Sequence, residues 1–385
     1  MFIARRFNYF SEELNREVVE LYWSTALTNL ATNLAYIFEP IFLYGLGYKI
    51  THILFFYIVV YTCYALFILP LTKITAKIGY KHAIFISTVF YVIYWITLFQ
   101  IKFHPGLFYI VPIFFALQKC FYWPPYNADV AISNTKKQRG REIGVLFSLI
   151  EMVSIIGPIL GGLISAVFGF QVLFIASSII MLSSAYPLFR TPDIYTRHNF
   201  KLKNFLAIFK RFPQNFFAYW GYAEDLMLMS LWPIYMFLII PNVSSIGLIV
   251  TFASLVAIMV MLYVGRLIDN RKQHELLPLA SIFYGLGWVF RFVANQPAAV
   301  VGFDVQTRLG KGMVNVPLLT TTYSLAGSRG PDLAIAYGVF YEFSLSIGKI
   351  FTALMAIWIL SSGGSLGLVF LMVGVLTMFY SLLKK

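Results

Sequence analysis

The chain has 385 residues, of which 59% are hydrophobic and 12% charged, and its mean hydropathy is +0.77. A soluble globular domain needs more polar surface than that, so the composition excludes one and makes a bilayer the natural solvent. The net charge of +13 would suit nucleic acid, but the cations sit in short connections between apolar runs and form no basic helical face, which excludes that partner.

Residues 1–20, MFIARRFNYFSEELNREVVE, mix both charge signs and contain no apolar signal core or small-residue cleavage site. They are expected to be a retained cytoplasmic segment lying at the interface. Apolar runs follow at 21–47, 50–70, 83–101, 106–131, 142–168 and 170–189, then at 215–240, 244–264, 275–295, 298–322, 332–360 and 365–383. Runs of about 20 residues cross roughly 30 Å of hydrocarbon as helices. Short alternating strands are absent, which argues against an outer-membrane barrel. The expected fold is therefore all-α, with 12 membrane spans in two halves, 21–190 and 215–385, joined by a polar cytoplasmic linker at 191–214. Cys63 and Cys120 lie inside apolar runs as small buried thiols and form no disulfide framework.

On this topology 22 of the 29 Lys and Arg residues fall on the side of the termini and linker, 2 (Lys49 and Lys102) fall on the other, and the rest lie within spans. The positive-inside rule then places both termini and the linker in the cytoplasm of a cell membrane. The halves also repeat. Pro40 returns as Pro233 after 193 residues, Lys119 and Pro125 as Lys311 and Pro317 after 192, and Glu151 and Gly157 as Glu342 and Gly348 after 191. An even number of spans per repeat makes the two halves parallel in orientation.

Several stretches carry a family likeness. Thr72–Lys81 reads TKITAKIGYK, keeping Gly79 and Lys81 of a G-x-L-a-D-r-x-G-r-k pattern, with Thr72 and Ala76 in place of its first Gly and its Asp. Its counterpart in the second half, GRLIDNR, keeps Gly265, Asp269 and Arg271. In span five GPILGG supplies Gly157, Pro158, Gly161 and Gly162, and in span ten RLGKG runs from Arg308 to Gly312. With these motifs and the six-plus-six repeat, the chain resembles the major facilitator superfamily, and through GPILGG its drug/proton antiporters. The resemblance implies two parallel six-helix bundles around a midplane cavity, with spans one, four and seven lining it. It also implies that the loop motifs control conformation, the carboxylate of Asp269 capping a helix and pairing with cytoplasmic Arg. The latch should be stronger at Asp269 than at Ala76.

Ionisable groups inside spans cost about 2.5 to 3.5 kcal/mol each on insertion scales, so they normally face a partner or a cavity. The candidates for substrate or ion binding are Lys119, Glu151, Glu224, Asp225, Arg308, Lys311 and Glu342. Lys119 is near the middle of span four and Glu151 about 13 Å into span five, close enough in depth to pair; the repeat suggests the same for Lys311 with Glu342. Asp304 and Arg308, four apart, suit a local salt bridge. Glu39 and Arg291, near span ends, suit snorkelling to the interface. Asp129 is expected to pair at the cytoplasmic end of span four. Tyr36, Tyr122, Tyr126, Tyr222 and Trp232 are expected to be cavity aromatics. The double proline at 124–125 should kink or unwind span four.

No P-loop, H-E-x-x-H or Cys/His metal cluster occurs, so the expectation is no enzyme, no cofactor and no metal. GGSLG at 363–367 matches a hydrolase elbow, yet it joins two spans, and no Asp, Glu or His follows Ser365. The leading expectation is a monomeric secondary transporter using alternating access and protons to export small amphipathic or hydrophobic compounds. The alternatives are a nutrient uptake symporter and a non-transporting scaffold or sensor of the same fold.

Overall fold

A computed structural model of the protein describes residues 16–132, 139–190, 200–268, 273–327 and 331–384. All regular structure among them is helical. Lipid offers the backbone no hydrogen-bond partners, and a helix satisfies its own. The helices are α1 (Arg16–Ala35), α2 (Phe38–Gly45), α3 (Ile50–Ile78), α4 (Tyr80–Gln100), α5 (Val111–Ile132), α6 (Arg139–Ala185) and α7 (Leu202–Arg211). The second half continues with α8 (Pro213–Ala218), α9 (Glu224–Ile239), α10 (Val243–Ile268), α11 (Gln273–Phe290), α12 (Pro297–Gly327), α13 (Pro331–Ser361) and α14 (Leu366–Thr377). Span one is α1 followed by α2, span seven is α8 followed by a tight 219–223 turn and α9, and α6 holds spans five and six, broken at Gly169 (φ 82°, ψ 170°). The described helices thus account for the twelve spans of the hydropathy pattern, and eight among the described residues are long and apolar enough to cross a membrane.

Turns between successive spans are short and glycine-dependent. At Gly79 the chain ends α3 and starts α4 through a single residue with φ 89° and ψ 157°, a region essentially closed to residues with a Cβ. Gly79→Ala is expected to cost roughly 1–3 kcal/mol, read as a lower melting temperature in detergent. Beside this turn Lys81 Nζ meets Glu20 Oε2 at 3.3 Å and ties it to α1. The Gly265 backbone lies in α10, while Asp269 and Arg271 lie outside the described residues, and with them the latch expectation.

Within each half, small residues let helices touch. A Cβ on Gly161 would lie 2.0 Å from the Leu34 carbonyl oxygen, and one on Gly157 2.6 Å from Asn33 Cβ, so α6 presses directly on α1. The repeat-related Gly348 of α13 presses on Trp220 in the same way. Between halves, α6 meets α10: a Cβ on Gly247 would lie 2.4 Å from the Pro158 carbonyl oxygen, and one on Gly162 2.9 Å from that of Val243. Thr251 Oγ1 donates to the Ile155 carbonyl at 2.8 Å across the same seam. The GPILGG stretch is therefore occupied on two faces, by α1 and by α10. On the other side of the molecule α3 packs along α13.

Three expectations change here. α5 runs as one helix through Pro124 and Pro125, because neighbouring transmembrane helices stabilise a proline-bearing segment that would fray in water. The linker contains a helix, α7, whose Phe205 and Phe209 rings pack on Phe340 and Phe343 of α13. Ser365 caps α14 by accepting from the Leu368 amide at 3.4 Å, a structural use of the residue in GGSLG.

Candidate functional site

The 219–223 turn interrupts span seven at mid-depth, so Glu224 and Asp225 open α9. Free amides and the helix dipole favour negative charge there. Both carboxylates are buried, Glu224 completely. Lys311 of α12 bonds to Asp225 and reaches Glu224 Oε1 at 3.2 Å. Lys349 of α13 binds the other Asp225 oxygen at 2.9 Å and the Tyr61 hydroxyl at 3.1 Å. Tyr284 and Tyr380 donate to the two oxygens of Glu224 at 2.8 and 3.1 Å. The Tyr222 ring lies 4.6 Å from Lys311 Nζ and 5.6 Å from Lys349 Nζ, within the range of a cation–π contact.

The first half closes the other side of this centre. Tyr61 and Tyr64 sit one turn apart on α3. Tyr64 donates to Glu342 Oε2 at 3.2 Å, and Asn127 of α5 donates to Glu342 Oε1 at 3.0 Å. Tyr323 of α12 donates back to Asn127 Oδ1 at 3.1 Å. Lys119 lies over the Phe115 ring at 4.5 Å and the Tyr61 ring at 5.5 Å. A polar network therefore runs from Tyr61 through Lys349, Asp225 and Lys311 to Glu224 and crosses between halves at Tyr61, and a second one crosses at Glu342 through Tyr64 and Asn127.

The expected Lys311–Glu342 pair is not formed. Lys311 pairs with Glu224 and Asp225, and Glu342 faces the first half, because the rotation of α13 points position 342 at α3 and α5. The Glu151 side chain and Asp129 lie outside what is described, and among the described residues no carboxylate lies within 4 Å of Lys119.

A second cluster lies toward the face away from the termini. Arg308 pairs with Asp304 at 3.0 Å, as the four-residue spacing suggests, and Trp232 Nε1 donates to the same carboxylate at 2.9 Å. Arg291 and Glu39 do not snorkel; both are fully buried. The Arg291 guanidinium is sandwiched 4.0 Å from the Trp232 ring and 3.7 Å from the Trp288 ring and bonds to Thr307. Glu39 accepts from Tyr57 at 2.7 Å. Aromatic cover, absent from a hydropathy plot, holds these charges inside.

The aromatic candidates separate in the same way. Tyr222 lies at the centre. Tyr36, half-buried on the turn between α1 and α2, packs with the core and lies within electrostatic reach of Asp225 and Tyr61 at the centre. Tyr122 and Tyr126 stack on each other at 5.4 Å beside Ile84 and Leu188, inside the first half. Trp232 belongs to the second half, against Tyr235 and Phe370. Tyr61, Tyr64, Asn127, Tyr284, Tyr380 and Lys349 join the site without having been among its expected members. The spacing Tyr61–Tyr64 and the seven residues from Glu342 to Lys349 place each pair on one helical face, which is the signal that could have found them.

Among the described residues no group of three or more His, Cys, Asp or Glu side chains is placed to hold a metal ion. Cys63 and Cys120 are free thiols. The centre can bind polar groups and move protons, and it presents no activated nucleophile.

A family model described as Major Facilitator Superfamily matches residues 21–330. No curated protein matches the chain in sequence. Solved structures of similar fold include a D-xylose-proton symporter, with TM-score 0.68 and 11% identity over 94% of this chain and 96% of that one. A point mutant of the nucleoside transporter NupG gives TM-score 0.68 and 14% identity over 95% and 97%.

Proposed function

The chain belongs to the major facilitator superfamily, and on that premise we propose that it is a secondary active transporter carrying a small polar solute by alternating access, coupled to protons. Glu342 is the observation that carries this reading. It is a carboxylate of the second half whose two side-chain hydrogen bonds, among the described residues, both come from the first half. A proton removes the negative charge that strengthens both bonds, since a charge-assisted hydrogen bond is about twice as strong as a neutral one. Protonation would then loosen the two halves, and deprotonation would draw them together.

The centre is built from ammonium, carboxylate, phenol and amide groups, which favours uptake of a hydrophilic nutrient over export of hydrophobic compounds. GPILGG, on which the export expectation rested, is employed in packing against α1 and α10, and a packing seam has no direction. The similar solved structures, described as a xylose-proton symporter and a nucleoside transporter, accord with a polar solute. In this reading the termini and linker face the cytoplasm of a cell membrane, as the cation distribution favours.

The test is reconstitution in liposomes with an inward proton gradient. Solute-driven proton entry is expected, and Glu342→Gln should reduce it by an order of magnitude or more while solute exchange between the two sides persists. Proton coupling unchanged in that variant would sink the role given to Glu342.

A further inference from the structure

The ammonium groups at the centre keep unused donors. Each oxygen of Glu224, Asp225 and Glu342 already accepts a bond: Glu224 from Lys311, Tyr284 and Tyr380, Asp225 from Lys311 and Lys349, Glu342 from Tyr64 and Asn127. The donors are not used up. An ammonium group carries three. Lys349 gives one to Tyr61 and one to Asp225, whereas Lys119 donates to no described residue and rests on the faces of Phe115 and Tyr61.

Lys119 differs in this from its repeat partner Lys311, which has two carboxylates. Ring faces attract a cation but compensate only part of its lost hydration. Lys119 nevertheless keeps 9% of its surface accessible. The Tyr61 ring lies within 6 Å of both ammonium groups, 5.5 Å from Lys119 Nζ and 4.7 Å from Lys349 Nζ. One lysine belongs to the first half and the other to the second.

We propose that the transported solute is an organic anion, held through a carboxylate or similar oxyanion between Lys119 and Lys349 beside Tyr61. This rests on the reading of the centre as the solute site. A carboxylate is acceptor-only when ionised and has room for about four bonds, which matches the free donors. Because the two lysines sit on opposite halves, an anion between them favours the arrangement in which the halves are close, which is how a ligand shifts such an equilibrium.

The experiment uses the full-length protein with L-lactate, succinate and gluconate as anionic probes and glycerol and glucose as neutral ones. At least one carboxylate is expected to raise the melting temperature in detergent and to drive proton entry into proteoliposomes, while the neutral probes do neither. Lys119→Gln should melt higher than the wild type without ligand, since a buried charge with no carboxylate bonded to it is gone, and should lose the response to carboxylates by an order of magnitude or more. Lys119→Arg should retain part of that response. A structural ion pair would give the opposite sign for the ligand-free melting temperature.

A wild-type protein that responds to no carboxylate overturns the inference. Transport of glucose or glycerol, unchanged in Lys119→Gln, overturns it too, while leaving the transport reading intact. Absence of solute-linked proton flux with all five probes removes the transport reading itself.

Discussion

Asp225→Ala is expected to abolish transport and to lower stability by about 3–5 kcal/mol. Asp225 divides its two oxygens between Lys311 and Lys349, so its removal leaves Lys311 with only Glu224 bonded to it and Lys349 with no bonded carboxylate. Breaking a buried pair costs more than never having built it, because the stranded charge cannot recover its hydration. Thermal unfolding in detergent measures the loss. Lys349→Met placed in the Asp225→Ala background should recover part of it, and the coupling between the two changes isolates the ion pair from the packing. Additive effects, with no recovery, would mean that Lys349 finds other compensation.

Gly161→Ala and Gly247→Ala add the same methyl group and should fail differently. The new Cβ at position 161 meets the Leu34 backbone at 2.0 Å inside the first half. Backbone cannot swing aside, so overpacking should cost at least the usual 1–3 kcal/mol or so. At position 247 the clash, 2.4 Å from the Pro158 carbonyl, falls between the two halves. In the proposed alternating-access cycle those halves separate, so the strain can be relieved by opening the α6–α10 seam. Gly247→Ala is therefore expected to melt near the wild type and to make a cysteine introduced at Ser244 more reactive to a water-soluble maleimide. If the two variants lose stability equally and the seam stays closed, the α6–α10 contact is not a moving interface.

The architecture was legible because bilayer thickness imposes one length on every span, and hydropathy reads that length directly. The break at Gly169 falls between the fifth and sixth apolar runs, and Gly79 falls just before the third. Charge burial was legible as well, since Glu224, Asp225 and Lys311 meet inside the bundle and Glu342 is buried beside them. Partner choice was not. Which carboxylate Lys311 takes depends on how α12 and α13 are rotated, and the repeat offset says nothing about rotation. Glu39 and Arg291 were misjudged for another reason. Their nearness to span ends suggests snorkelling, but Tyr57 and the Trp232–Trp288 sandwich make staying inside cheaper. Tyr61 and Tyr64 were hidden because a phenol in an apolar run reads as one more aromatic wall until its hydroxyl finds a charge.

α13 is engaged on opposite sides. At about 100° per residue, Phe340 points some 160° away from Glu342, and Lys349, seven positions on, returns to the Glu342 side. One side of the helix meets the linker through Phe340 and Phe343, while the other meets α3 and α5 through Glu342 and Lys349. A rod gripped this way cannot spin about its long axis without tearing one grip loose. Any swing that frees Glu342 must tilt the whole rod and drag α7 along, so the linker helix travels as ballast with the second half.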